Sequence, residues 1–166
     1  MKGAADAILD AVLIAEGAVK KEAVLQGHVD TGALLQSFVH EVSYNDNEAE
    51  GIVFAADYAI FVNVGVPAEK VRYPIKVMVA WWKRKGLPTV EAIRAAWATK
   101  KKHEKVGIPT VESRAFSQTG KRLGFVQSGL DRVANEIESV FEEKMIKNAM
   151  VVFDDALVFE DYELVM

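Results

Sequence analysis

The chain has 166 residues, 51% of them hydrophobic and none of them cysteine. That is enough for one domain with a buried core, and it excludes disulfides, thiolate metal sites and a cysteine nucleophile. The formal net charge is -4, no apolar run reaches the roughly 18–20 residues that span a bilayer, and the basic residues of the first 20 positions are misplaced for a signal peptide, so synthesis in the cytoplasm without membrane contact is expected.

Residues 3–26 read as a helix, because Ala4, Ile8, Val12, Ala15 and Val19 recur on one amphipathic stripe. Gly27 is its expected stop, and His28-Val29-Asp30-Thr31-Gly32 is turn chemistry: Asp30 accepts a backbone N–H and Gly32 tolerates positive φ. A strand is expected over 34–44 and its return over 50–56, joined at Asn45-Asp46-Asn47 as an antiparallel hairpin. Asp57 is the expected cap of a short helical turn from Tyr58 to Asn63, ended by Gly65. A helical insert spans about 66–108. Its first helix, 74–85, carries Met78, Trp81 and Trp82 and starts at Pro74, whose missing N–H suits a first turn. Its second helix starts with Thr89 as cap and places Ile93, Ala96 and Trp97 on one face. Lysines crowd its C-terminal end, where cations oppose the macrodipole.

A long helix is expected over about 112–147, with Phe116, Leu123, Val126, Leu130, Val133, Ile137, Val140, Phe141 and Met145 at steps of three, four and seven. Gly120, Gly124 and Gly129 each weaken a helix by about 1 kcal/mol relative to alanine, so a break or bend is expected near them. Residues 150–153 and 157–165 read as two short strands about Asp154-Asp155, and this C-terminal β segment (149–166) is a candidate to pair with another chain. The order is α+β: an N-terminal helix, an antiparallel hairpin, a helical insert, a long C-terminal helix and terminal short strands, forming a small antiparallel sheet against helices in one domain, 1–166.

Charge is unevenly distributed. Glu69–Arg122 holds 14 Lys/Arg against 4 Asp/Glu, while the other 112 residues hold 6 against 20. If the fold keeps these stretches apart, identical copies can pair head to tail with opposite signs meeting. A solvated basic insert explains the same asymmetry.

Chemistry-bearing patterns are sparse. No nucleophile elbow, zinc-helix motif, phosphate loop or dinucleotide fingerprint occurs, His28, His40 and His103 lie at no metal-ligand spacing, and neither catalysis nor a cofactor is expected. Asp154, Asp155, Glu160 and Asp161 form an acidic cluster compatible with a divalent cation, although such clusters more often are solvated turns. Lys83, Arg84 and Lys85 beside Trp81 and Trp82, with Lys100, Lys101, Lys102 and Lys105, combine cations and rings as single-strand binders do. The tryptophan pair falls on the expected buried side of its helix, and an overall pI of about 5.5 argues against a dedicated nucleic-acid protein. A nucleic-acid-binding module over 81–105 is therefore the second reading.

Three segments, and a fourth between the last two of them, carry a resemblance. His28-Val29-Asp30-Thr31-Gly32-Ala33-Leu34-Leu35-Gln36-Ser37 resembles the V-D-T-G-x-L-x-x-S signature of the neck or tail-completion (head-tail joining) proteins of long-tailed bacteriophages. Ala56 to Gly65 is similar to that family's Y-A-x-x-v-E-x-G-T segment, with Asn63 in place of Glu and Val66 in place of Thr. Gly107 to Phe116, which contains Pro109, resembles its G-i-x-a-x-P-F-l-x-P-A region, although Thr110-Val111-Glu112 lacks the proline and phenylalanine. Val79 to Leu87 resembles the W-x-x-x-K-G-L helix of members with a helical insert. The matches run in the family's order over residues 1–147. The resemblance implies a non-enzymatic virion protein, one copy in a six- or twelve-fold ring of the head-tail connector or tail terminus. Its partners would be itself and neighbouring connector, tail-terminator or tail-tube proteins, with transient contact to passing DNA through the basic residues. It marks Asp30, Thr31, Gly32, Leu34, Ser37, Tyr58, Ala59, Gly65 and Pro109 as landmarks of shape.

Overall fold

The computed structural model describes the backbone of residues 2–45 and 48–163, and the side chains of 3–45 and 48–150. The elements are α1 (Lys2–Leu25), α2 (Ala33–Gln36), β1 (Val39–Tyr44), β2 (Ala49–Phe54), α3 (Ala59–Val64), α4 (Ile75–Arg84), α5 (Thr89–Val106) and α6 (Phe125–Glu163). Short 3-10 turns lie at Ala68–Lys70 and Val111–Phe116. The mixed helix-and-sheet class is as the residue order implies: an antiparallel hairpin between a first and a long last helix. No helix among the described residues is long and apolar enough to cross a membrane.

The chain divides into two compact units. The first comprises residues 1–24, 29–56 and 125–166; the second comprises 25–28 and 57–124, and so contains the whole helical insert.

In the first unit, α1 and α6 run antiparallel at close range. A Cβ on Gly129 would sit 2.9 Å from Val19 Cα and 3.0 Å from the Ala18 carbonyl, so glycine lets the two backbones approach. Arg132 Nε lies 3.0 Å from a carboxylate oxygen of buried Glu22, and Lys144 pairs with Asp10 at 2.5 Å while donating to the Asp6 carbonyl. The hairpin pairs Val39 with Phe54 through Tyr44 with Ala49. One of its faces lies on α1, where a Cβ on Gly51 would run into Val12 and Ile8. Val12 and Val19 of the expected α1 stripe are buried, as are Ala5, Ala7 and Ala23. Phe125, wholly buried, meets Phe38 edge-on with ring centroids 6.5 Å apart.

Three expectations are corrected. The strand expected over 34–44 begins at Val39, because Gly32 takes a left-handed conformation (φ 79°) and starts the one-turn helix α2. The long helix begins at Phe125, thirteen residues later than expected. Gly120 and Gly124 both adopt positive φ and break the chain before it, and Phe116 and Leu123 lie outside the helix and exposed. Finally, the terminal strands of the 149–166 segment do not form: α6 continues through 150–153 and on to Glu163. A short apolar run suits either element until its flanks decide. After Gly129 no glycine or proline interrupts the helix, and Asp154-Asp155 alone does not turn it. The last residues of the expected second strand, 164–166, and Asp46-Asn47 of the hairpin turn lie outside the described residues. The flanks of that turn are joined by Asn45 N to the Glu48 carbonyl, 2.9 Å.

In the second unit, α4 and α5 pack as a helical hairpin around Ala92, Ala96 and Val71, all fully buried. Pro74 and Pro88 sit just before α4 and α5 in extended conformation, so Thr89 is the first helical residue of α5 and not its cap.

Candidate interaction surfaces

The first resembling segment forms a clasp inside the first unit. Thr31 Oγ1 accepts from Ala33 N (3.4 Å), and Gln36 N donates to the Gly32 carbonyl (3.0 Å). Leu34 is buried beneath this turn, while Asp30 and Thr31 are exposed. Ser37 Oγ donates to the Leu34 carbonyl (2.7 Å) and accepts from Ala56 N (3.2 Å). One hydroxyl thus ties the entry of the hairpin to its exit. Beside the clasp, Glu16 holds His40 Nδ1 at 2.7 Å and also binds Lys20. Lys20 chiefly, then His40, keeps the Glu16 carboxyl below its usual range against the opposing effect of burial.

The second and third resembling segments meet in the second unit. Val66 and Ile108 exchange two backbone hydrogen bonds, at 2.7 and 2.8 Å. Gly65 (φ 82°) and Gly107 (φ 83°) flank this bridge. A Cβ on either would lie 2.6–2.7 Å from a carbonyl oxygen of the opposite segment. Asn63, standing where the resembling family has Glu, offers its carbonyl to Gly124 N at 2.8 Å. Ala59 is half-buried and Pro109 follows a cis peptide. Tyr58 is 43% exposed at the start of α3, and Ile60, Phe61 and Val64 of the same helix are exposed as well.

The basic residues divide by environment. Lys83 and Arg84 are exposed at the end of α4, and Lys85 lies over the Trp81 ring at 5.4 Å. Lys100 pairs with Glu104 (2.8 Å) and sits over Tyr73; Lys102 pairs with Glu112 (2.5 Å). Bonding to Lys102 brings the Glu112 carboxyl down to about 2. Lys101 and Lys105 project outward. Trp81 and Trp82 form an edge-on pair at 4.7 Å, half-buried, with Trp82 Nε1 donating to Thr99 Oγ1. Trp82 thereby joins α4 to α5. Ile93, Ala96 and Trp97 were expected to share one face; Ala96 is buried with Ala92, whereas Ile93 and Trp97 are 42% and 49% exposed.

His103 is held below its ordinary range by burial first and Lys102 second, and its Nδ1 shares a hydrogen bond with the Tyr73 hydroxyl at 2.9 Å. His28 is lowered further, to about 4, by burial and then by the Arg122 guanidinium. Arg122 Nη1 donates to the carbonyls of Gln26 and Gly27 and pins the second unit's two chain segments together. An open depression of about 300 Å³ is lined by Pro109, Thr110, Val111, Arg114, Lys121 and Arg122. Among the described residues no group of three or more His, Asp or Glu stands close enough to hold a metal ion. The side chains of Asp154, Asp155, Glu160 and Asp161 lie outside the described ones.

The two units also divide the charge. The first holds 6 Lys/Arg against 19 Asp/Glu, net -13, and the second 14 against 5, net +9. The boundary of compaction nearly coincides with the boundary of sign. No family model matches this chain, and neither does a curated protein or a solved structure.

Proposed function

We propose that this chain is a structural subunit of a bacteriophage head-tail connector or tail terminus, acting as one copy in a closed ring. The division of charge between the two units is the observation that carries the reading. A chain with one acidic and one basic body is complementary to itself, and head-to-tail contact between copies closes into a ring when the rotation per copy permits. The hairpin supports it. Val39, Ile52 and Phe54 share the face turned away from α1 and are 56%, 39% and 45% exposed. Such contiguous apolar area on a solvent face marks a contact surface. The resemblance in three ordered segments supplies the biological setting. Those segments have structural roles in this chain: Ser37 clasps the hairpin, and Gly65 and Gly107 close the bridge.

The test is assembly. Expressed alone and then mixed with the connector and tail proteins encoded beside it, the chain is expected to enter a ring of fixed stoichiometry by native mass spectrometry. Charge complementarity further requires self-association to weaken between 50 and 500 mM salt. A chain that joins no virion particle overturns the proposal.

A further inference from the structure

The outward face of α5 sets an open indole among cations, a pattern that charge pairing between copies does not require. Helical geometry places Arg94, Trp97, Ala98, Lys101 and Lys105 on one side, opposite the buried Ala92 and Ala96. All five are exposed, and Trp97 keeps 49% of its surface open. Among the described residues, Arg94, Lys101 and Lys105 stand within ion-pair distance of no carboxylate, whereas their neighbours Lys100 and Lys102 are engaged by Glu104 and Glu112. The helix thus separates cations that hold the fold from cations that face solvent. An exposed indole stands among the second set, with Arg94 three residues before it and Lys101 four after.

We propose that this face binds a single-stranded nucleic acid, with Arg94, Lys101 and Lys105 contacting phosphates and Trp97 stacking on a base. Cation, ring and cation follow one another along about 16 Å of helix, at about 1.5 Å per residue, as phosphate and base alternate along a strand. An acidic protein surface would match the same charges, and sedimentation of the charge-reversed variant distinguishes that occupant. Binding through α5 is compatible with a chain of net charge -4 because the unit that bears the face is net +9. Of the tryptophans that sequence pattern favours for stacking, Trp82 is tied to α5 through Thr99, and Trp81 lies edge-on against it beneath Lys85.

The experiment is fluorescence anisotropy of the full chain with labelled 20-mers of deoxythymidine, of uridine and of mixed-sequence duplex, titrated at several salt concentrations. The single strands are expected to bind more tightly than the duplex, with log K falling against log salt at a slope of about -2, since each phosphate contact on a single strand contributes about -0.7. Trp97→Ala is expected to weaken binding about 5- to 150-fold with the slope unchanged, as loss of one base stack does. Lys101→Ala is expected to reduce the slope by about 0.7. Lys102→Ala, off this face, should keep the affinity within about twofold. Every substitution is at an exposed position, and circular dichroism checks that the helices persist. No strand binding at 50 mM salt, tighter binding to duplex, or binding indifferent to Trp97→Ala overturns the proposal. So does sedimentation showing that Arg94→Glu with Lys101→Glu disperses an oligomer while strand affinity stays unchanged. Strand binding is read without virion components, so its loss overturns this proposal and leaves the ring reading standing.

Discussion

Two glycines inside long helices should respond to the same substitution with opposite sign. Gly17 lies in the middle of α1, exposed, with open space where a Cβ would go. Alanine there removes the backbone-entropy penalty of a helical glycine, about 0.5–1 kcal/mol. For a chain of this length that corresponds to a rise of about 1–4 °C in Tm. Gly129, in the first turns of α6, receives the same intrinsic gain. Its Cβ, however, would meet Val19 Cα at 2.9 Å and the Ala18 carbonyl at 3.0 Å, and these are backbone atoms with no rotamer to yield. Moving α6 outward to relieve the clash would stretch the ion pair between Arg132 and buried Glu22, one turn further along. Overpacking of this kind costs about 1–3 kcal/mol, which exceeds the propensity gain. Gly129→Ala is therefore expected to lower stability by about 1–2 kcal/mol while Gly17→Ala raises it. Urea unfolding followed by far-UV circular dichroism, comparing midpoints at constant m, measures both. If Gly129→Ala stabilises as much as Gly17→Ala, the close approach of α1 and α6 is refuted.

Phe125→Ala removes a wholly buried ring and its edge contact with Phe38, and should destabilise by about 3–5 kcal/mol in the same assay; a loss below about 1 kcal/mol would show that the ring is not central to the packing. Ser37→Ala deletes two hydrogen bonds at the hairpin clasp and should cost about 1–3 kcal/mol, with faster amide exchange at Ala56 as a local readout. His28 titrates at about 4 in the fold against an ordinary value of 6.5, so the folded state resists its protonation. The associated stability is fully present above pH 6.5 and is lost as pH falls toward 4. The full linkage is about 3 kcal/mol; reduced for solvent screening of a half-buried ring, about 2 kcal/mol is expected. His28→Gln should flatten the fall in unfolding midpoint between pH 7 and 4.5, and an unchanged pH profile would remove His28 as its source.

Much of this protein was legible in its residues because the signals were local. Period and punctuation announced α1, the hairpin and the paired helices of the insert, and glycines at 120 and 124 announced a break before α6. The positive-φ turn at Gly32 also followed from residue type, since a left-handed backbone angle favours glycine in any context. The charge asymmetry was written in the sequence as well. What composition left open was whether folding would mix the two signs or keep them in separate bodies. Only the tertiary structure decided that, by assigning 25–28 and 57–124 to one unit and drawing the acidic helices into the other. Tertiary structure also settled the tryptophans. Trp97 and Ala96 are neighbours on the helix, and periodicity alone grouped them. Packing of α4 against α5 selected the small side chains of Ala92 and Ala96 for the contact and left the indole outside. The same holds for Phe125, whose burial depends on Phe38 some 87 residues away, and for residues 150–163, whose apolar runs fit either a strand or a helix. Local chemistry sets what a segment can be; which face is covered, and by what, is a long-range property that no single window of residues contains.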